Sequence, residues 1–104
     1  MNAALEAIWN VIAEIPRGRV STYGDVAFMA GLPRSHARQT AYALRHVPEG
    51  VHLPWHRVLG AGGKIVFAKG SKHYHEQARR LRSEGIAVKD GRVPREVLIN
   101  VERF

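Results

Sequence analysis

A chain of 104 residues has room for one core, so its function must come from one module and the surface of that module. Its composition, 45% hydrophobic and 24% charged, suits a folded globular protein, and the lack of cysteine excludes a disulfide scaffold, a thiolate zinc site and a cysteine nucleophile. The net charge of +7 is concentrated, because residues 17 to 82 hold twelve Lys or Arg against Asp25, Glu49 and Glu76; such a field attracts polyanions and puts nucleic acid first among partners.

No run approaches the roughly eighteen apolar residues of a spanning helix. The N-terminal stretch also lacks a basic segment followed by an apolar one. Neither a membrane partner nor export is therefore expected, and the expected location is the cytoplasm.

Leu5, Ile8, Ile12 and Ile15 recur at three- and four-residue spacings, which predicts a helix over 3–15 with Asn2 as N-cap, stopped by Pro16 and Gly18. Arg19 and Val20 read as an extended link. Thr22 and Asp25 form a capping-box-like start for a short helix through Val26, Ala27 and Ala30, which Gly31-Leu32-Pro33 breaks. Ser35 is expected to cap a third helix running to about His46, with Ala37, Ala41 and Leu44 inward. Two short helices around a Gly-Pro turn predict a helix-turn-helix. The outer side of the second one carries Arg38 and Arg45, flanked by Gln39 and His46, and reads either as a recognition face or as a solvated polar face.

Pro48 to Pro54 reads as a loop. Val58-Leu59 and Ile65-Val66-Phe67, joined by Gly60-Ala61-Gly62-Gly63, predict a small hairpin or wing whose glycines serve turn geometry, since no Walker lysine pattern accompanies them. Residues 71–84 predict a last helix, basic at Lys72, Arg79, Arg80 and Arg82, ended by Gly85. The segment from Ile86 on, with Val88, Val93, Val97, Leu98 and Ile99, is either a short strand or a packing arm.

The run Pro54-Trp55-His56-Arg57-Val58 resembles the Pro-Cys-His-Arg-Val signature of the O6-alkylguanine-DNA alkyltransferases with Trp in place of Cys, and so is similar to the alkyltransferase-like proteins. The resemblance extends in order through Ile15-Pro16-Arg17-Gly18-Arg19-Val20-Ser21-Thr22-Tyr23-Gly24, Gly31-Leu32-Pro33, Ala37-Arg38-Gln39 and Ser83-Glu84-Gly85. It implies a mainly α, winged-helix-like DNA-binding fold with a helix-turn-helix and a small β-hairpin, as in the C-terminal domain of the alkyltransferases. That fold would fill residues 1–104 as a single domain.

The implied activity is binding without catalysis. The protein would bind DNA containing O6-alkylguanine, flip the damaged nucleotide into a pocket without removing the alkyl group, block alkyltransferase action and mark the lesion for nucleotide excision repair. A thiolate attacks the alkyl carbon in the transferases, which an indole cannot do, so His56 and Glu84 would persist as a structural pair and no residue is catalytic.

By the same resemblance Tyr23 presses on the phosphate beside the target nucleotide, and Arg38 enters the stack the base has left. Gln39, Ala41 and Arg45 complete the implied DNA contact, and Trp55, His56, Arg57, Ala68 and Lys69 the implied lesion pocket. Trp55 by itself could equally be a core aromatic, Tyr23 a core phenol and Arg38 a solvated cation.

Departures from the transferase pattern are Ala41-Tyr42 where a Gly-Gly pair lies, Val47 where the hinge Asn lies, and a position near Ala68 where a pocket Tyr lies. Tyr42 would crowd the groove, and the loss of bulk near Ala68 would widen the pocket. No cofactor or metal is expected. The expected partners are lesion-bearing duplex DNA and excision-repair proteins, with the chain as a monomer. Rival readings are a helix-turn-helix regulator without lesion specificity, which leaves Trp55-His56-Arg57 unexplained, an active alkyltransferase, which lacks its cysteine, and a metal site at His73 and His75, which lacks a clustered third ligand.

Overall fold

The computed structural model describes residues 2–101. Its regular elements are α1 (Ala3–Ala13), β1 (Ser21–Thr22), α2 (Tyr23–Met29), α3 (Ala37–Arg45), β2 (Val58–Leu59) and α4 (Lys72–Ser83), with 3-10 turns at Arg34–His36, Trp55–Arg57 and Arg95–Val97. α1, α2 and α4 start at side-chain caps: Asn2 Oδ1 accepts from the Ala4 amide at 2.8 Å, Thr22 Oγ1 from Asp25 at 3.1 Å and Ser71 Oγ from Tyr74 at 3.2 Å. The capping box at Thr22 is not reciprocal, since Asp25 turns its carboxylate to the Arg34 guanidinium at 2.9 Å.

Ile8 and Ile12 on α1 and Ile15 just beyond it pack with Val26, Ala43 and Val58 in a cluster beneath α1, α2 and α3. A second cluster, Val20, Leu59, Ile65, Ala78, Leu81, Ile86, Val88 and Val93, lies beneath α4. The short parallel pair β1–β2, with Ser21 opposite Val58 and Thr22 opposite Leu59, sits between them. Successive strand residues point to opposite faces, so Val58 enters the first cluster and Leu59 the second. β2 thereby ties the helix-turn-helix to α4.

The segment after Gly85 is a packing arm. Ile86, Val88 and Val93 are buried, the Val20 amide donates to Val97 O at 2.9 Å, and the Ile99 amide donates to Val20 O at 2.8 Å. The Arg19 guanidinium reaches Val97 O and Leu98 O at 3.1 and 3.0 Å and pins the arm from outside.

Three local expectations are corrected. The Val58-Leu59 strand pairs with Ser21–Thr22, not with 65–67, and a single antiparallel bridge between Gly60 and Lys64 is what remains of the expected hairpin. The arm competes for the second strand: Lys64 bridges Arg92, and the Ile65 amide donates to Gly91 O at 2.8 Å. A Cβ on Gly60 would lie 2.6 Å from Val66 Cγ1 and 3.1 Å from Lys64 O, so any larger residue would push this tight return apart.

Ser35 does not cap α3. It is exposed in the 3-10 turn that leads out of Pro33, and α3 starts at Ala37 without a side-chain cap. The buried face of α3 is Thr40 and Ala43, with Ala37, Ala41 and Leu44 half-buried. A polar residue can take an innermost position here because Thr40 Oγ1 donates to Tyr23 O at 2.8 Å.

Candidate nucleic-acid interface

The outer face of α3 presents Arg38, Gln39 and Arg45 to solvent, with Ala41 half-buried among them. Arg38 and Gln39 make no hydrogen bond or ion pair among the described residues, so both are available to a ligand. Tyr42 is 46% exposed on the same helix and stacks on His46 with ring centroids 4.0 Å apart, which lays its ring along the helix C-terminus. Tyr23 opens α2 and is half-buried against the α1–α3 cluster. Burial pushes its phenol up, partly offset by Arg45, so it stays a protonated hydrogen-bond donor at neutral pH. Gly24 allows the helix-turn-helix to close, since a Cβ there would lie 3.2 Å from Arg34 O.

Behind α3, Leu44, Val47, Val51 and Leu53 line a cleft of about 280 Å³ completed by His52, Trp55 and Arg80. Trp55 stands in the 3-10 turn between the 48–54 loop and β2, half-buried, edge-on to Phe67 at 6.1 Å and to His73 at 6.2 Å. Phe67 and His73 stack on each other at 5.2 Å. His73, a weak metal candidate in the sequence, thus belongs to an aromatic wall. Among the described residues, no three His, Cys, Asp or Glu side chains converge on a metal position.

On the inner side of Trp55 lies a buried polar network. His56 Nε2 donates to Glu84 Oε2 at 2.6 Å, Arg57 Nη2 donates to the same oxygen at 2.9 Å, and the Gly18 amide donates to Oε1 at 2.9 Å. Arg57 Nη1 reaches Ile15 O at 2.8 Å, and Gln77 Nε2 bonds the carbonyls of His56 and Val58 at 3.1 and 3.0 Å. Burial would raise the Glu84 carboxyl, but the bonds from Arg57, Gly18 and His56 outweigh it and hold the group at about 2. For His56 burial prevails over the Glu84 contact, and its imidazole is lowered. At neutral pH the network is therefore an ionised carboxylate bonded to a neutral imidazole and a guanidinium. With Nε2 carrying the hydrogen, His56 Nδ1 keeps the lone pair; it is buried and without a partner among the described residues.

Of the expected pocket residues, Trp55 lines the cleft, while His56 is buried on its inner side against Glu84 and Arg57 turns toward Glu84 and Ile15 O, so neither His56 nor Arg57 lines it. Ala68 and Lys69 are exposed beyond Phe67, outside the lining of this cleft. Sequence reasoning missed Val51, His52, Leu53, Phe67, His73 and Arg80. The available signals were the apolar Val51 and Leu53 within an otherwise polar loop, and the Glu76–Arg80 spacing on α4, which turns Arg80 toward Trp55.

A basic helix-turn-helix face with a Trp55-lined cleft behind it defines a nucleic-acid-binding module, and comparison with known proteins gives its family. The chain belongs to the family of the 6-O-methylguanine DNA methyltransferase DNA-binding domain, whose profile matches residues 3–86. It is 46% identical over 90 residues to the DNA base-flipping protein of Vibrio parahaemolyticus, covering 86% of this chain and 87% of that one. It is 45% identical over 83 residues to the DNA base-flipping protein of Escherichia coli, covering 80% of this chain and 62% of that one. Its fold matches the crystal structure of S. pombe Atl1 in complex with damaged DNA containing O6-carboxymethylguanine, with a TM-score of 0.80 at 33% identity over 96% of this chain and 97% of that one.

Proposed function

We propose that this protein binds duplex DNA carrying O6-alkylguanine as a monomer and flips the modified nucleotide into the Trp55 cleft. The alkyl group stays on the base, and the bound lesion is shielded from alkyltransferases and handed to nucleotide excision repair in the cytoplasm. The observation that carries this reading is Trp55 itself. It occupies the nucleophile position of the family signature, in the wall of a cleft lined by Leu44, Val47, Val51 and Leu53 together with His52 and Arg80, while the His56–Glu84 pair behind it is intact at 2.6 Å. An indole offers a flat apolar surface, and the lone pair of its nitrogen is delocalised in the ring and not nucleophilic, so a base in this cleft can be held and not dealkylated.

Arg38 is the side chain suited to the vacated stack, being cationic, planar at its end and without a hydrogen-bond or ion-pair partner among the described residues. Eversion costs a few kcal/mol of stacking and pairing, less for a weakly paired O6-alkylguanine, and a guanidinium in the gap offsets part of it. Relatives named for base flipping, and a structural neighbour bound to O6-carboxymethylguanine DNA, support the same reading. The test is a protection assay. A duplex with one O6-methylguanine is preincubated with the protein and then given an active methyltransferase. Methyl transfer should slow in proportion to occupancy, with the mass of the protein unchanged. Unimpeded transfer, or a gain of one methyl on the protein, contradicts the proposal.

A further inference from the structure

The Trp55 cleft is not uniformly apolar. Arg80 reaches into it from the last turns of α4, with its guanidinium carbon 5.4 Å from the Trp55 ring centroid, within range of a cation–π contact. Its Nε donates to Glu76 Oε2 at 2.6 Å, while its two terminal nitrogens make no hydrogen bond among the described residues. Glu76 is also bonded by Arg79 at 2.6 Å, so one carboxylate is shared between two guanidiniums and the trio keeps a net positive charge. A side chain held at Nε and stacked beside an indole is oriented, with both terminal nitrogens still available as donors. That is the fork that recognises carboxylates in bidentate fashion.

Resting on the lesion-binding reading above, we propose that Arg80 determines adduct specificity: it selects O6 substituents ending in a carboxylate, such as carboxymethyl, over apolar substituents of the same shape. The apolar lining from Leu44, Val47 and Leu53 accommodates the methylene and the purine, and among the described residues Arg80 supplies the fixed cation of the cleft. Glu76 acts as the positioning residue that holds the guanidinium from its far side.

The experiment compares dissociation constants for three matched duplexes, carrying guanine, O6-carboxymethylguanine or its isostere O6-isobutylguanine, at one salt concentration. The proteins are wild type, Arg80→Met and Arg80→Lys, each checked for folding by thermal melting. Wild type should favour carboxymethyl over isobutyl by about tenfold, the magnitude of one charge-assisted contact in a half-exposed setting. Arg80→Met should bring the ratio to about one, and Arg80→Lys should fall between, because it keeps the charge and loses the fork. The lost attraction to the phosphates is common to the three duplexes and cancels in the ratio. A ratio unchanged in Arg80→Met, with both adducts still bound more tightly than guanine, overturns the role of Arg80 alone. Equal binding of all three duplexes by wild type overturns the lesion-binding reading beneath it.

Discussion

Glu84 shows how a nucleophile can be absent from a site while its surroundings persist. Its side chain is 4% exposed and accepts from His56, Arg57 and Gly18, which joins the turn before β2, the end of α4 and the link after α1. A carboxyl held at about 2, against an ordinary value of 4.5, contributes about 3 kcal/mol of stability at neutral pH. The depressed value fixes the sign: the contribution is complete above about pH 5 and is lost as pH falls from about 4.5 toward 2. His56 acts in the same direction, since a buried imidazole that resists protonation destabilises the fold as pH drops below its ordinary 6.5. Glu84→Gln should therefore lower the stability measured by urea unfolding by about 3 kcal/mol at pH 7, with a difference from wild type that shrinks toward pH 3. A pH-independent difference would show that the carboxylate charge is not what the network holds. On the DNA side, Arg38→Ala should weaken lesion binding by roughly ten- to a hundredfold, as expected for losing a contact that offsets part of base eversion, and Tyr23→Phe by only a few-fold, because it removes a hydroxyl and leaves the ring packed. Equal losses in a titration of the two variants would argue against these roles.

At the scale of elements, the two helices of the DNA-binding unit are joined by a bond that no propensity announces. Thr40→Val removes the hydroxyl bonded to Tyr23 O and should cost about 1–2 kcal/mol in urea unfolding. Thr22→Ala should cost about 1 kcal/mol through the lost N-cap of α2, whereas Ser35→Ala, at a residue that caps nothing, should fall within about 0.5 kcal/mol of wild type. The regular helices were legible because their signals are local: Ile8 and Ile12 one turn apart on α1, Ser71 before α4, and glycines after the last turns. The sheet was not, because Ser21–Thr22 and Val58–Leu59 are two residues each and pair across the chain, beyond the reach of any periodicity. The same contrast holds at the site. Trp55, His56 and Glu84 were readable from the signature, and Arg38 from its helix face. The lining of the cleft was not, since Leu44, Val51 and Arg80 come from three separate segments that meet only once β2 has set α4 against the helix-turn-helix.

For the whole molecule, charge and shape point the same way. The net charge of +7, with the excess in residues 17 to 82, makes the helix-turn-helix and α4 the cationic part of the surface, and α1 has no Lys or Arg. DNA binding should therefore fall steeply with salt, with a log–log slope of roughly −0.9 per phosphate contacted, and a flat response would remove the electrostatic part of the interaction. Electrostatics brings any duplex to this surface; the difference between duplexes must come from opening the stack and filling the cleft. The most direct measurement is an anisotropy titration of two duplexes identical except for guanine or O6-methylguanine at one position, at one salt concentration. Tighter binding of the methylated duplex is the predicted result, and equal dissociation constants would contradict the account.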